Sequence, residues 1–153
     1  MSQRLDHYST APELIKPMIE MEKALGSSGI EYSLITLIKL RASQINGCAY
    51  CLHMHAQEGR KHGVSEDRMH LLNAWRESSY YSDRERAALA WTEALTRIET
   101  VGAPDQDYAN LAAHFTAHEQ VAVTMVITTI NAWNRLAIGF AASHPAAQEA
   151  NAA

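Results

Sequence analysis

Proline and glycine are scarce in this chain, 4 and 7 among 153 residues, and they fall between periodic segments. That distribution favours helices joined by short turns. Basic residues are in deficit. The formal net charge is -4 and the pI near 6.0, which excludes the basic surface that nucleic acid or an anionic membrane requires. No uninterrupted apolar run reaches the length of a membrane span. Residues 1–12 lack a basic stretch followed by an apolar one, so no secretion signal is expected and the cytoplasm is the expected location. Cysteine is limited to two residues, Cys48 and Cys51. A pair so close cannot staple distant parts of a fold, which excludes a structural disulfide framework. In a reducing compartment such a pair is redox-active or metal-binding.

The remainder is ordinary for one folded domain, 47% hydrophobic and 20% charged. Residues 11–25 place Leu14, Met18, Met21 and Leu25 on one helical face, with Pro17 inside as a break or kink. Gly26 to Gly29 end that helix. Ser28 with Glu31, Ser82 with Glu85 and Thr116 with Glu119 each fit the Ser/Thr-x-x-Glu capping box ahead of an apolar run. The first box opens a helix of about 29–45, with Leu34, Leu37, Ile38 and Ile45 inward and Asn46-Gly47 as its terminating turn. The next helix runs from Cys48 to about His62, stopped by Gly63. Ser65 caps a short helix through Leu71, Leu72 and Trp75. From Asp83 to about Ile98, Ala88, Trp91, Leu95 and Ile98 recur at helical spacing, and Pro104 starts a helix carrying Tyr108, Leu111 and Phe115.

Residues 117–140 are β-branched over Val121 to Ile130, but the capping box and unbroken length read as a helix, apolar nearly all round and hence central. Past His144-Pro145 the tail is small, polar and expected to fray. One internal echo, Gln44-Ile45-Asn46-Gly47 against Thr129-Ile130-Asn131-Ala132, is short enough to be chance or a trace of duplication.

The chemistry concentrates in Cys48-Ala-Tyr-Cys51-Leu-His-Met-His55. Positions three and four apart share a helix face, so two sulfurs and one imidazole line a single stripe. Only the thiolate attacks an O–O or S–S bond, and both a helix N-terminus and a histidine lower a thiol pKa. A sulfenic acid formed on one sulfur condenses with the second to a disulfide, which an external dithiol resets. By helix-start reasoning alone, Cys48 is the more acidic sulfur.

The stretch from Lys39 to Cys51 (Lys-Leu-Arg-Ala-Ser-Gln-Ile-Asn-Gly-Cys-Ala-Tyr-Cys), with His55 after it, resembles the core motif of the AhpD-like alkyl hydroperoxidases of the carboxymuconolactone decarboxylase family. Arg4-Leu-Asp and Ile130-Asn-Ala-Trp-Asn-Arg135 are similar to family positions, so the resemblance covers about residues 4–140. It implies an all-α, AhpD-like bundle of about six to eight helices, one domain over 1–145 with a tail at 146–153. It implies a thiol peroxidase that reduces peroxides or alkyl hydroperoxides, with Cys51 attacking, Cys48 resolving and His55 helping to deprotonate Cys51. It implies no cofactor, a trimer or hexamer of this chain, and a lipoyl-bearing or thioredoxin-like protein as reductant. The decarboxylase branch lacks the cysteine pair, so its activity is not expected. The family's glutamate twelve residues before the first cysteine is replaced by Thr36. That leaves Glu58, Thr36 and His53 as candidate proton relays, with Glu58 on the His55 stripe.

Rival readings attach to the same residues. The cysteines could be packed as small hydrophobes, or serve a redox sensor that exchanges disulfides without turnover. Cys48, Cys51, His53 and His55 could bind zinc, but they crowd one segment, and His53 points about 160° from His55. His114 and His118 are separated by a helix boundary and read as surface or capping residues. Trp75, Trp91 and Trp133 read as core or interface, and Trp133 and Arg135 as lining a redox pocket or a subunit contact. Tyr50 packs or shapes peroxide access, while Tyr80 and Tyr81 read as loop residues.

Overall fold

A computed structural model of the chain describes residues 3–144, so the expected tail at 146–153 lies outside the described residues. Its elements are α1 (His7–Thr10), α2 (Pro12–Gly26), α3 (Tyr32–Asn46), α4 (Ala49–Lys61), α5 (Glu66–His70), a 3-10 turn (Leu71–Ala74), α6 (Asp83–Thr96), α7 (Ile98–Val101), α8 (Asp105–His114) and α9 (Ala117–Gly139). The fold is an all-helical single domain. The described residues form nine α-helices rather than six to eight; α1 and α7 are one-turn pieces that periodicity does not reveal.

Two of the three capping boxes form in full, at Ser82–Glu85 and Thr116–Glu119. The third does not. Gly29, with φ +88°, and Ile30 intervene, so α3 begins only at Tyr32, and the Ser28 hydroxyl donates back to the Leu25 carbonyl. Pro17 sits within a continuous α2. The inward face of α2 differs from the expected one. Ile15 and Leu25 are buried, whereas Leu14 is 69% exposed and Met21 faces out. The stripe that turns inward also carries Glu22, which disguised its phase.

The most enclosed helix is α3, not α9. Every residue from Leu34 to Ser43 is buried, including Lys39 and Arg41. Buried charges need partners. Lys39 Nζ reaches Glu22 Oε2 at 2.5 Å, and Arg41 Nε reaches Glu93 Oε1 at 2.7 Å. Glu93 also accepts from Trp75 Nε1 at 2.9 Å and pairs with Arg76. Helix α9 is 23 residues long and apolar enough to cross a membrane. Here it packs on α3 and α6 instead, burying Val123, Val126, Ile127 and Ile130 while Val121 and Ile138 stay exposed.

Two further expectations shift. Ile98 lies beyond the end of α6 and is exposed. Tyr81 is a core residue: its ring is buried and its hydroxyl donates to the Arg68 carbonyl, while Tyr80 is exposed. The asparagines of the sequence echo meet across the bundle, Asn46 Nδ2 donating to Asn131 Oδ1 at 3.0 Å. The core falls into three clusters. The third, between α3, α4 and α9, contains Ala42, Ile130, Ala137 and both cysteines.

Candidate functional site

A tight reversal delivers the cysteines. Gly47 ends α3 in the left-handed region, φ +70°, where a β-carbon would be strained. The Cys48 amide then donates back to the Ser43 carbonyl at 3.0 Å, and α4 begins one residue later with Cys48 as its N-cap. Cys48 Sγ accepts from the Cys51 amide at 3.4 Å, and the two sulfurs lie 2.6 Å apart as free thiols. Both are almost wholly buried, 1% and 2% exposed.

The two thiols differ in acidity. The hydrogen bond between the two sulfurs, assisted by backbone amides at the helix start, pulls Cys48 down to about 7. The same hydrogen bond raises Cys51, and burial raises it further. Removing the first proton therefore leaves the charge on Cys48, as helix-start reasoning predicts. Asn134, fully buried on α9, lowers both sulfurs through its side-chain hydrogen bonds. It also accepts from Asn46 Nδ2 at 2.8 Å and donates to Ser43 Oγ at 3.0 Å, so α3, α4 and α9 are tied together at the sulfurs.

Cys51 and His55 open onto one cavity of about 440 Å³. His55 is buried, with Nδ1 2.7 Å from Glu58 Oε2, while its Nε2 is buried without a hydrogen-bond partner. The hydrogen bond from His55 holds the Glu58 carboxyl below its ordinary value. Tyr8, Tyr50, Met54 and Trp133 give the cavity an apolar, aromatic wall. On another side, Glu22 bridges Lys39 and Trp133 Nε1, the latter at 3.0 Å.

Of the three candidate relays, only Glu58 reaches this cavity. Thr36 is buried and lines a different cleft, which Lys39 and Glu58 also border, and its hydroxyl donates to the Tyr32 carbonyl at 2.8 Å. His53 stacks on His144 at 4.9 Å and contacts Gln57 at 3.0 Å. Trp133 lines the cavity, whereas Arg135 is exposed and turns back to the Asn131 carbonyl at 2.8 Å. Trp75 and Trp91 are core residues, and His114 and His118 are exposed. Among the described residues, no three His, Cys, Asp or Glu side chains are grouped as metal ligands.

Sequence reasoning missed Asn134, Glu22, Lys39 and Tyr8. Asn134 lies within the Ile130–Arg135 segment, where attention fell on Trp133 and Arg135. Glu22 is seven residues after Ile15, so a correctly phased α2 would have turned it inward.

Residues 12–94 match the carboxymuconolactone decarboxylase family. YdfG of Bacillus subtilis (strain 168), an uncharacterized protein, is 42% identical over 138 residues, covering 90% of this chain and 94% of its own. The crystal structure of ATU0492 from Agrobacterium tumefaciens, of unknown function and proposed to be an antioxidant defence protein AhpD, superposes with a TM-score of 0.91 at 46% identity. That superposition covers 95% of this chain and 99% of the other. The alkyl hydroperoxide reductase AhpD of Hyphomonas neptunium (strain ATCC 15444) is 36% identical over 62 residues, 40% of this chain and 32% of its own. In sequence and in fold, this chain belongs to the carboxymuconolactone decarboxylase family, on its AhpD-like side.

Proposed function

We propose that the protein is a thiol peroxidase that reduces peroxides or alkyl hydroperoxides through a Cys48–Cys51 disulfide. One observation carries the reading: two sulfurs 2.6 Å apart, the second sharing a cavity wall with an imidazole whose far nitrogen is held by a carboxylate. As peroxide enters, His55 Nε2 takes the Cys51 proton, and Glu58 at Nδ1 steadies the imidazolium. The Cys51 thiolate attacks the nearer peroxide oxygen, the O–O bond breaks, and the departing oxygen takes the proton from His55 as alcohol or water. Cys51 is left as a sulfenic acid. Cys48, the more acidic sulfur, gives up its proton and attacks it; the S–S bond forms and the hydroxyl takes that proton and leaves as water. In this scheme Glu58 takes the place of the glutamate missing at Thr36.

The reading includes a protein-borne dithiol as reductant, a cytoplasmic setting that keeps thiols reduced, and self-association. The outward residues Leu14, Ile19 and Met21 of α2 supply apolar surface for a second copy. A redox switch without turnover is the rival, favoured by the near-complete burial of both sulfurs. Mass spectrometry before and after one equivalent of hydroperoxide tests the reading. Loss of two hydrogens, mapped to Cys48 and Cys51 and reversed repeatedly by a dithiol, is expected. An unchanged mass, or oxidation at methionine alone, would refute it.

A further inference from the structure

The two sulfurs line different cavities. Cys51 lines the 440 Å³ cavity with His55 and Glu58. Cys48 lines a second cavity of about 680 Å³ that adjoins the first, with Tyr50, Ala137, Ala142 and Ser143 bordering both. The walls differ in charge. Asp6, Glu22 and Glu58 face the first cavity, with Lys39 committed to Glu22. Among the described residues, the second carries Arg4 and no carboxylate. Arg4 is fixed there, its amide donating to the Phe140 carbonyl at 2.9 Å and its guanidinium to the Gly139 carbonyl at 3.1 Å. The walls differ in bulk as well. Gly47, Ala49, Gly139 and Ala141 leave an approach to Cys48 lined by small side chains.

From this division we infer that the two halves of the redox cycle use different mouths: the oxidant reaches Cys51 through the acidic cavity, and a slender dithiol arm reduces the disulfide by attacking Cys48 through the second. The oxidising half rests on the peroxidase reading; the reducing half does not. The attacking species in reduction is a thiolate. An anion is less favoured in the first cavity, where one lysine offsets only one of three carboxylates, than beside a guanidinium and the start of α4. A sulfur only 1% exposed at the base of a cavity is out of reach of the flat rim of a folded protein but open to a thin arm.

The chemistry balances. One thiolate of the arm attacks Cys48 Sγ, the S–S bond breaks, and Cys51 leaves with the electron pair and takes up a proton beside His55. The arm's second thiol, losing its proton, attacks the arm's own sulfur in the mixed disulfide. The arm closes to a cyclic disulfide and Cys48 departs as a thiolate, with the Cys51 thiol placed to donate to it. The arm gives up two electrons and one proton, the protein pair gains them, and the negative charge passes from the arm to Cys48.

Gly139→Trp is the test. A β-carbon there meets nothing within 4 Å, so the side chain can occupy the second cavity without displacing the helix. The disulfide is made with diamide, which needs no peroxidase activity, and its reduction by dihydrolipoamide is followed by stopped flow. Gly139→Trp is expected to slow reduction by about ten-fold or more while peroxide oxidation of the reduced protein changes by less than about two-fold. Met54→Trp, which narrows only the first cavity, is expected to reverse that pattern. Ala49→Phe serves as a second plug of the Cys48 mouth should Gly139→Trp fold poorly by circular dichroism. Unaltered reduction in a folded plug variant would overturn the inference. So would plugs of both cavities slowing the same half-reaction, or reduced thioredoxin outpacing dihydrolipoamide at equal concentration. Failure of wild type to consume peroxide, with the plug still slowing reduction, would remove the peroxidase reading and leave the second mouth standing.

Discussion

Helices α4 and α9 both pack on α3, and they begin in opposite ways. At the start of α9, Thr116 Oγ1 accepts from the Glu119 amide at 3.3 Å and Glu119 accepts from the Thr116 amide at 2.8 Å. Arg84 pairs with that carboxylate at 2.7 Å, and these bonds hold Glu119 down to about 2. At the start of α4, the cap is a sulfur, accepting at 3.4 Å, with no acidic residue in the first turn. Sulfur is a weak acceptor, and an oxygen cap contributes about 1 kcal/mol. The field of the helix start therefore serves stability in α9 and acidity in α4, where a carboxylate in the first turn would compete with the thiolate.

The comparison breaks most completely if the α4 sulfurs prove dispensable. Cys51→Ser is expected to abolish peroxide consumption, measured as hydroperoxide remaining with a dithiol present. Cys48→Ser should allow a single oxidation and then stop, leaving Cys51 open to sulfinic acid, visible as a gain of two oxygens by mass spectrometry. Normal multiple turnover in either variant would reduce α4 to an ordinary, badly capped helix.

Next in size is the proton chemistry around Cys51. Glu58→Gln keeps a hydrogen-bond acceptor at His55 but removes the charge, so peroxide reduction should slow by about ten-fold to a hundred-fold. Iodoacetamide labelling of wild type, followed at Cys48, gives the pH profile of the partner sulfur. A thiol whose pKa is lowered to about 7 is mostly protonated at pH 5 and mostly thiolate at pH 8. Its labelling rate should rise through neutrality and level off. A rate still climbing at pH 9 is the behaviour of an unperturbed thiol.

The α9 side of the comparison predicts a stability effect alone. Thr116→Ala should cost about 1–2 kcal/mol in urea unfolding, with disulfide formation unchanged. A redox defect in this variant would mean that the two helix starts are coupled through α3.

How far each start could be read from the sequence follows from the same physics. The boxes at Ser82 and Thr116 are local, each closed within four residues, and both form. The box at Ser28 fails because Gly29 takes a positive φ that a residue pattern does not display. The Cys48–Cys51–His55 stripe is local too, and Glu58 lies one turn further along it. Asn134, Lys39, Glu22 and Tyr8 come from other helices and reach the sulfurs or their cavity only through tertiary packing. Buried charge is hard to read from a pattern of apolar residues. Lys39 and Arg41 lie buried on α3, where an apolar stripe alone does not place them, and Glu22 shares the inward side of α2 with Ile15.

The smallest expected effect distinguishes the two helix starts most sharply. In Cys48→Ser, an oxygen replaces sulfur at the cap of α4. The better acceptor should strengthen the start of the helix. Against that, the hydroxyl enters a site that is 1% exposed among Ala42, Ile130 and Ala137, where a polar group is costly unless it finds a partner. The Cys51 amide already points at the position, and the neighbouring thiol can turn toward it. The two contributions oppose each other, so the net change in unfolding free energy should stay below about 1 kcal/mol in either direction. Reduced protein must be compared with reduced protein, since the wild-type disulfide would add its own constraint on the unfolded chain. A loss of several kcal/mol would show that the cysteine at the head of α4 is a packing residue first. A near-neutral result, beside a costly Thr116→Ala, would show that the start of α4 tolerates the change in stability and that the sulfur is kept there for its acidity.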